Sequence, residues 1–280
     1  MTDNPILRVG VQNCLSALPL TAKLKEIEPG LEINDRTPRE LSNLLVKGEL
    51  DVALIPMLTV LRNPQISILP NISVTCRGAS YNSIMFSKTA PADIKTVLVD
   101  RRSIISIALL RALFNIRWSM QPVEVLSSKP ITSDYPFLTT DYDAFLVVGD
   151  AAMQIKEEFN SRVDLGEQWY AWTSESFTFS VWGVREGLEG PALDELFLQA
   201  KEEGLAAKDE IIQAESSRLR VHEEKCREIL GNTIYNLGTE EMKGIEWFHF
   251  FMDELKICEP SVELKIYGGD KFQILMLGKK

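Results

Sequence analysis

The sequence predicts an α/β fold of two lobes, each a mostly parallel sheet covered by helices, on three observations. Short apolar runs alternate with helix-like stretches through the first half of the chain, the order that a parallel, helix-covered sheet requires. A second set of such units begins after Ala90-Pro91. A late extended run, Phe177 to Val184, then leads the chain back before a long helical stretch, which makes the first lobe discontinuous.

In the first lobe, Leu7 to Val11 reads as a short buried strand and Leu18 to Glu26 as the helix after it, joined by the loop Gln12-Asn13-Cys14-Leu15-Ser16-Ala17. Leu31 to Asp35 is a second strand. Thr37-Pro38 supplies an N-cap with proline at the first helical position for a helix over Arg39 to Lys47, and Gly48 ends it. Asp51 to Pro56, Ile66 to Val74 and Ser83 to Ser87 read as further strands. In the second lobe, Thr96 to Asp100 is a strand, Arg101 to Ile105 a turn, and Ser106 to Phe114 an apolar helix. Val123 to Leu126 and Ala144 to Val148 are strands. After Gly149-Asp150, Ala151 to Phe159 reads as a helix.

The segment from Asp164 to Arg185 holds three tryptophans, two phenylalanines and a tyrosine and reads as a turn followed by a strand, suited to a core or a ligand wall. Residues 187 to 257 read as helical, with breaks near Gly204, Gly231-Asn232 and Leu237-Gly238-Thr239. In the tail, Val262 to Tyr267 and Phe272 to Leu277 flank Gly268-Gly269-Asp270-Lys271 as a β-hairpin. A lone hairpin is marginal in water, so it is expected to dock on the body or on a second chain. The expected division is residues 1–87 with 179–258, then 88–178, then 259–280 as an extension. Hinge strands are expected near Met85-Phe86 and Val181-Trp182.

Composition narrows the function classes. The 280 residues are 45% hydrophobic, enough for one large or two medium globular units. No apolar run approaches the roughly 18 residues of a membrane span, and Met1-Thr2-Asp3-Asn4-Pro5 lacks the features of a secretory leader. A cytoplasmic location is therefore expected. Cys14, Cys76, Cys226 and Cys258 form no close pair, which argues against zinc and against a disulfide framework. The net charge of −10 is concentrated between Glu186 and Glu254, on helix faces. With no basic stripe a nucleic-acid surface is not expected, but a small anion could be held locally by backbone NH groups and one or two arginines.

The segment Asp164-Leu165-Gly166-Glu167-Gln168-Trp169-Tyr170-Ala171-Trp172-Thr173, followed by Phe177-Thr178-Phe179-Ser180-Val181-Trp182-Gly183-Val184-Arg185, resembles the signature of the menaquinone-biosynthesis family of the futalosine pathway, in its chorismate dehydratase branch. Gly48-Glu49-Leu50-Asp51, Arg62-Asn63-Pro64, Gly149-Asp150, Tyr235-Asn236-Leu237-Gly238 and Gly244-Ile245-Glu246 add to the resemblance, which covers residues 6 to 257. It implies a type II periplasmic-binding-protein-like fold with the ligand between the lobes, at the carboxyl ends of the strands. It also implies dehydration of chorismate to 3-[(1-carboxyvinyl)oxy]benzoate with neither metal nor organic cofactor. A carboxylate of the substrate can then serve as base. The implied partner is this small dicarboxylate, with no nucleic acid and no membrane; a homodimer is allowed. The sister naphthoate synthase branch would want a histidine near Ser106, and none is there.

The resemblance also places the site. Ser16 stands where the family usually carries asparagine, and Asn82 stands where its serine lies, so an amide and a hydroxyl have traded places. Ser16, Asn82 and Ser83 are the candidate catalytic residues. Ser103-Ile104-Ile105-Ser106 resembles the family's Ser-x-Thr-Ser at a helix start; Ser103 and Ser106 read as N-caps whose neighbouring NH groups could hold a carboxylate. Arg77, Gly149 and Asp150 complete the candidate substrate-binding set. From the residues alone, the safer reading of Arg77 is a surface arginine and the preferred reading of Asp150 a helix cap. The altered loops leave open a second function, a non-catalytic bilobal binding protein for a small aromatic or cyclic carboxylate.

Overall fold

A computed structural model describes residues 6–188 and 193–269, with the backbone of 271–274. Its strands are β1 (Arg8–Val11), β2 (Glu32–Asp35), β3 (Val52–Pro56), β4 (Ser67–Cys76), β5 (Ser83–Ser87), β6 (Thr96–Asp100), β7 (Val123–Ser127), β8 (Ala144–Val148), β9 (Ser161–Asp164), β10 (Phe177–Val184), β11 (Thr233–Ile234), β12 (Val262–Ile266) and β13 (Lys271–Ile274). They form two sheets. The first has the order β13-β12-β4-β10-β3-β1-β2, with β11 also on β4, and the second has the order β7-β6-β8-β5-β9.

Strands joined through helices run parallel: β1 with β2 and β3, and β6 with β7 and β8. Strands next to the passages between sheets run antiparallel: β10 with β3 and β4, and β5 with β8 and β9. β3, β5 and β10 are buried along their whole length, which explains why β3 reads as an unbroken apolar run and the other two are mostly apolar. The helix Pro38–Val46 begins as expected, with Thr37 and Glu40 forming a reciprocal capping box and Pro38 in its first turn.

Several expectations are corrected. Ser83–Ser87 pairs within the second sheet and not the first, so the chain passes between sheets at 77–82 and 165–176, not at Met85-Phe86 and Val181-Trp182. A short strand buried at every position carries no mark of which sheet it joins. The "turn" half of the aromatic segment is a helix, Leu165–Thr173, capped by Asp164. The helix after Asp150 stops at Gln154, and β9 follows it. The break expected near Gly204 falls at Ala207, between the helices Leu193–Ala206 and Lys208–Leu219, while Gly204 itself lies inside the first, where a Cβ would sit 2.1 Å from the carbonyl oxygen of Pro19. The tail hairpin docks on the body, where β12 extends β4 in parallel and buries Leu264 completely. Residues 275–277 of the expected hairpin lie outside the described residues.

Candidate active site

A cavity of about 560 Å³ opens between the two sheets. Its wall is built where strands end: Gln12 follows β1, Arg36 follows β2, Pro56 closes β3, Arg102 and Ser103 follow β6, and Gly149 follows β8. Carboxyl ends of parallel strands leave this kind of crevice because the loops there must turn back to the covering helices.

The first loop folds into a short 3-10 turn, Leu15–Ala17, that buries Ser16. Tyr235 donates its hydroxyl to the Ser16 carbonyl at 3.0 Å, which gives the Tyr235-Asn236-Leu237-Gly238 motif a structural purpose. The Ser16 hydroxyl accepts a hydrogen bond from the Asn82 amide at 3.2 Å across the cleft. The Asn82 carbonyl in turn accepts from the Gly149 NH at 2.7 Å. Ser16, Asn82 and Gly149 thus meet, and all three line the cavity.

The loop that carries Asn82 is held by Asp164. Its carboxylate accepts from the Ser80 NH and hydroxyl, each at 3.0 Å, and from the Tyr81 NH at 2.6 Å. The same carboxylate caps the helix Leu165–Thr173 through the NH groups of Gly166 and Glu167. Gly166 has to be glycine: a Cβ there would lie 2.7 Å from the Cys76 sulfur and 2.8 Å from the Gly78 carbonyl. The aromatic residues that follow are mostly core. Trp169 is fully buried, donates to the Ser176 carbonyl at 3.1 Å and meets Phe177 edge-on; Phe179 alone of the segment's aromatic residues lines the cavity.

Opposite, the helix Ile104–Ala112 points its N-terminus at the cavity. Ser103 sits at the N-cap position without a side-chain capping bond, and neither its hydroxyl nor that of Ser106 hydrogen-bonds to another described residue. The first-turn NH groups and two hydroxyls therefore face the cleft as donors. Arg102 stands beside them, anchored on the buried Asp100 at 2.9 Å. Burial would raise the Asp100 carboxyl, but the Arg102 hydrogen bonds outweigh it and hold the pKa below the ordinary value. Arg36 also lines the cavity, beside Asp35 and Glu40.

Three expected site residues lie elsewhere. Arg77 is outside the cavity lining, paired with Glu240 at 2.7 Å and packed over the Tyr170 ring. Ser83 is fully buried in β5, its hydroxyl without a hydrogen-bond partner, because side chains alternate along a strand and Asn82 takes the cleft side. Asp150 neither lines the cavity nor caps the helix after it. It accepts from the Leu15 NH at 2.9 Å and from Arg218 at 2.7 Å, joining the second sheet's loop to the first lobe. Burial raises its pKa against the pull of these donors.

Cys14 does line the cavity, but burial and the charge of Asp150 push its thiol up to about 12. It stays protonated at neutral pH and is no nucleophile. Among the described residues no group of histidine, cysteine and carboxylate side chains is placed to hold a metal, and no helix is long and apolar enough to cross a membrane. Sequence reasoning passed over Gln12, Arg36 and Ser180. The available signal was position, since Gln12 and Arg36 directly follow parallel strands.

A family model described as menaquinone biosynthesis matches residues 7–254. A chorismate dehydratase of Thermus thermophilus is 27% identical over 245 residues, covering 78% of this chain and 86% of the relative. Among solved structures, a protein of Archaeoglobus fulgidus superposes with a TM-score of 0.66 at 15% identity, covering 90% of this chain and 98% of its own. The periplasmic aliphatic sulphonate binding protein of Escherichia coli gives 0.59 at 12% identity, covering 98% and 97%. These two likenesses carry the fold, which is periplasmic-binding-protein-like.

Proposed function

The chain belongs to the menaquinone-biosynthesis family, and on that premise we propose that it dehydrates chorismate to 3-[(1-carboxyvinyl)oxy]benzoate in the cleft between its lobes. The reaction removes a proton from the ring carbon bearing the enolpyruvyl ether and hydroxide from the neighbouring carbon, releasing one water. Aromatisation drives it, so the protein's task is to orient two carboxylates and assist the departing hydroxyl.

The observation that carries this reading is the donor-rich cleft. The helix start at Ile104, with Ser103 and Ser106, offers NH and OH donors to one carboxylate, and Arg36 and Arg102 draw the dianion in. The Asn82 amide donates to the Ser16 oxygen, and Ser16 also meets the Cys14 sulfur at 3.6 Å; with Cys14 as donor in that contact, the Ser16 proton can turn to the leaving hydroxyl. The family resemblance supports a carboxylate of the substrate as the base for the ring proton; among the described residues no imidazole lines this cavity. A cytoplasmic location fits this reading; among the described residues no helix is long and apolar enough to cross a membrane.

The test is incubation of purified protein with chorismate, following ultraviolet absorbance together with the loss of one water by mass. Conversion is the expected result. Saturable binding of chorismate without conversion would replace the lyase by a binding module of the same architecture.

A further inference from the structure

We infer that Gln12 is the hydrogen-bond acceptor for the ring hydroxyl of the substrate and so selects for a ring that still carries its leaving group. The inference rests on the lyase reading above and assigns a residue to it.

Gln12 leaves the end of β1 and lines the cavity. Its side-chain nitrogen donates to the Leu54 carbonyl at 2.8 Å and to the Ser180 hydroxyl at 3.3 Å. A backbone carbonyl can only accept, so the orientation of the amide is fixed by chemistry: nitrogen toward β3, oxygen away from it. That oxygen has no partner among the described residues, and it is not one of the buried atoms left unsatisfied. It is an oriented acceptor open to the cleft.

Asp35, Glu40 and Asp100 also line the cavity, with Glu40 bonded to Thr37 and Asp100 to Arg102, and the Gln12 oxygen adds an oriented, unpaired acceptor that only a donor on the ligand can match. Carboxylates bring none, and the ether oxygen brings none. The ring hydroxyl is the one donor on the substrate. If its proton points to Gln12, its lone pairs face the donors Ser16 and Asn82, the geometry a departing hydroxide needs. The aromatic product has lost this hydroxyl, so Gln12 faces product with an unmatched oxygen, and substrate is favoured over product.

The experiment compares Gln12→Met with wild type in kcat/KM for chorismate and in the inhibition constant of 3-[(1-carboxyvinyl)oxy]benzoate, with melting temperature as a folding control. The expected loss in kcat/KM is about ten-fold, with product inhibition unchanged or tighter. Should the unpaired Leu54 carbonyl prevent Gln12→Met from folding, Gln12→Lys keeps a donor for that carbonyl and offers no acceptor. Its kcat/KM is expected to fall while product inhibition holds or tightens. Unchanged kcat/KM, or parallel losses for chorismate and product, would overturn the assignment and leave Gln12 a brace between strands. Absence of turnover in the wild type would instead overturn the lyase reading, and this inference with it.

Discussion

Asn82 makes its bond to Ser16 from a loop whose backbone is held by other residues, so its side chain is free to be tuned without disturbing the fold. Asn82→Ala is expected to lower kcat for chorismate by about ten-fold or more while moving stability by under about 1 kcal/mol, checked by steady-state kinetics beside thermal melting. Activity equal to wild type would remove the pair from the mechanism. Asp51, far from the cleft, works in the opposite way. Burial alone would raise its carboxyl, yet hydrogen bonds from Arg8 at 2.9 Å and Arg185 at 2.7 Å hold it at about 2. A carboxyl depressed by folding stabilises the protein above its unfolded value near 4 and loses that contribution as pH falls toward 2. The contribution is about 2 kcal/mol, and Asp51→Asn should flatten the melting-temperature profile over that range. Ser16, Ser103, Ser106 and Gly149, which line the cavity, were legible through the motifs that resemble the family's. Arg77 was not, since its partner Glu240 is remote in sequence and nothing local announces the pair.

At the scale of elements, the helix Leu165–Thr173 was misread because its tryptophans and tyrosine suit strands as well as helices, and tertiary packing decides between them. Its start was nonetheless written in the sequence: Asp164 followed three residues later by Glu167 is a helix-entry pattern. The alternation of strands with helices was readable throughout for a different reason, that buried parallel strands need continuous apolar runs whatever their partners. Sheet membership was not, because pairing is a property of two segments at once. Gly166→Ala tests the junction of this helix with the Asn82 loop. The methyl group cannot fit between Cys76 and the Gly78 carbonyl, and overpacking of this kind costs about 1–3 kcal/mol. The expected signature is a lower melting point together with a lower kcat; a variant as stable and active as wild type would show that the loop has room to shift.

For the whole molecule, the tail is part of the first sheet. β12 pairs with β4 at Ser67 and Ile68, beyond the residues shared with the family, and Val262 and Leu264 are buried against the body. Deleting residues 259–280 bares that edge and removes two apolar side chains from the core. The expected loss is about 3–6 kcal/mol, with aggregation on heating, measured by calorimetry and light scattering. A truncated chain that melts like the full one would make the hairpin an ornament. The bilobal plan itself was foreseeable from the return strand at Phe177, while the anchoring of one half to the other through Asp150, Leu15 and Arg218 required coordinates.

Both passages between the halves end on one carboxylate, since Asp164 holds Ser80 and Tyr81 of the earlier passage and begins the later one. Two ribbons riveted at a common point behave as a single spine. A displacement of either ribbon is therefore passed to the other through that one side chain.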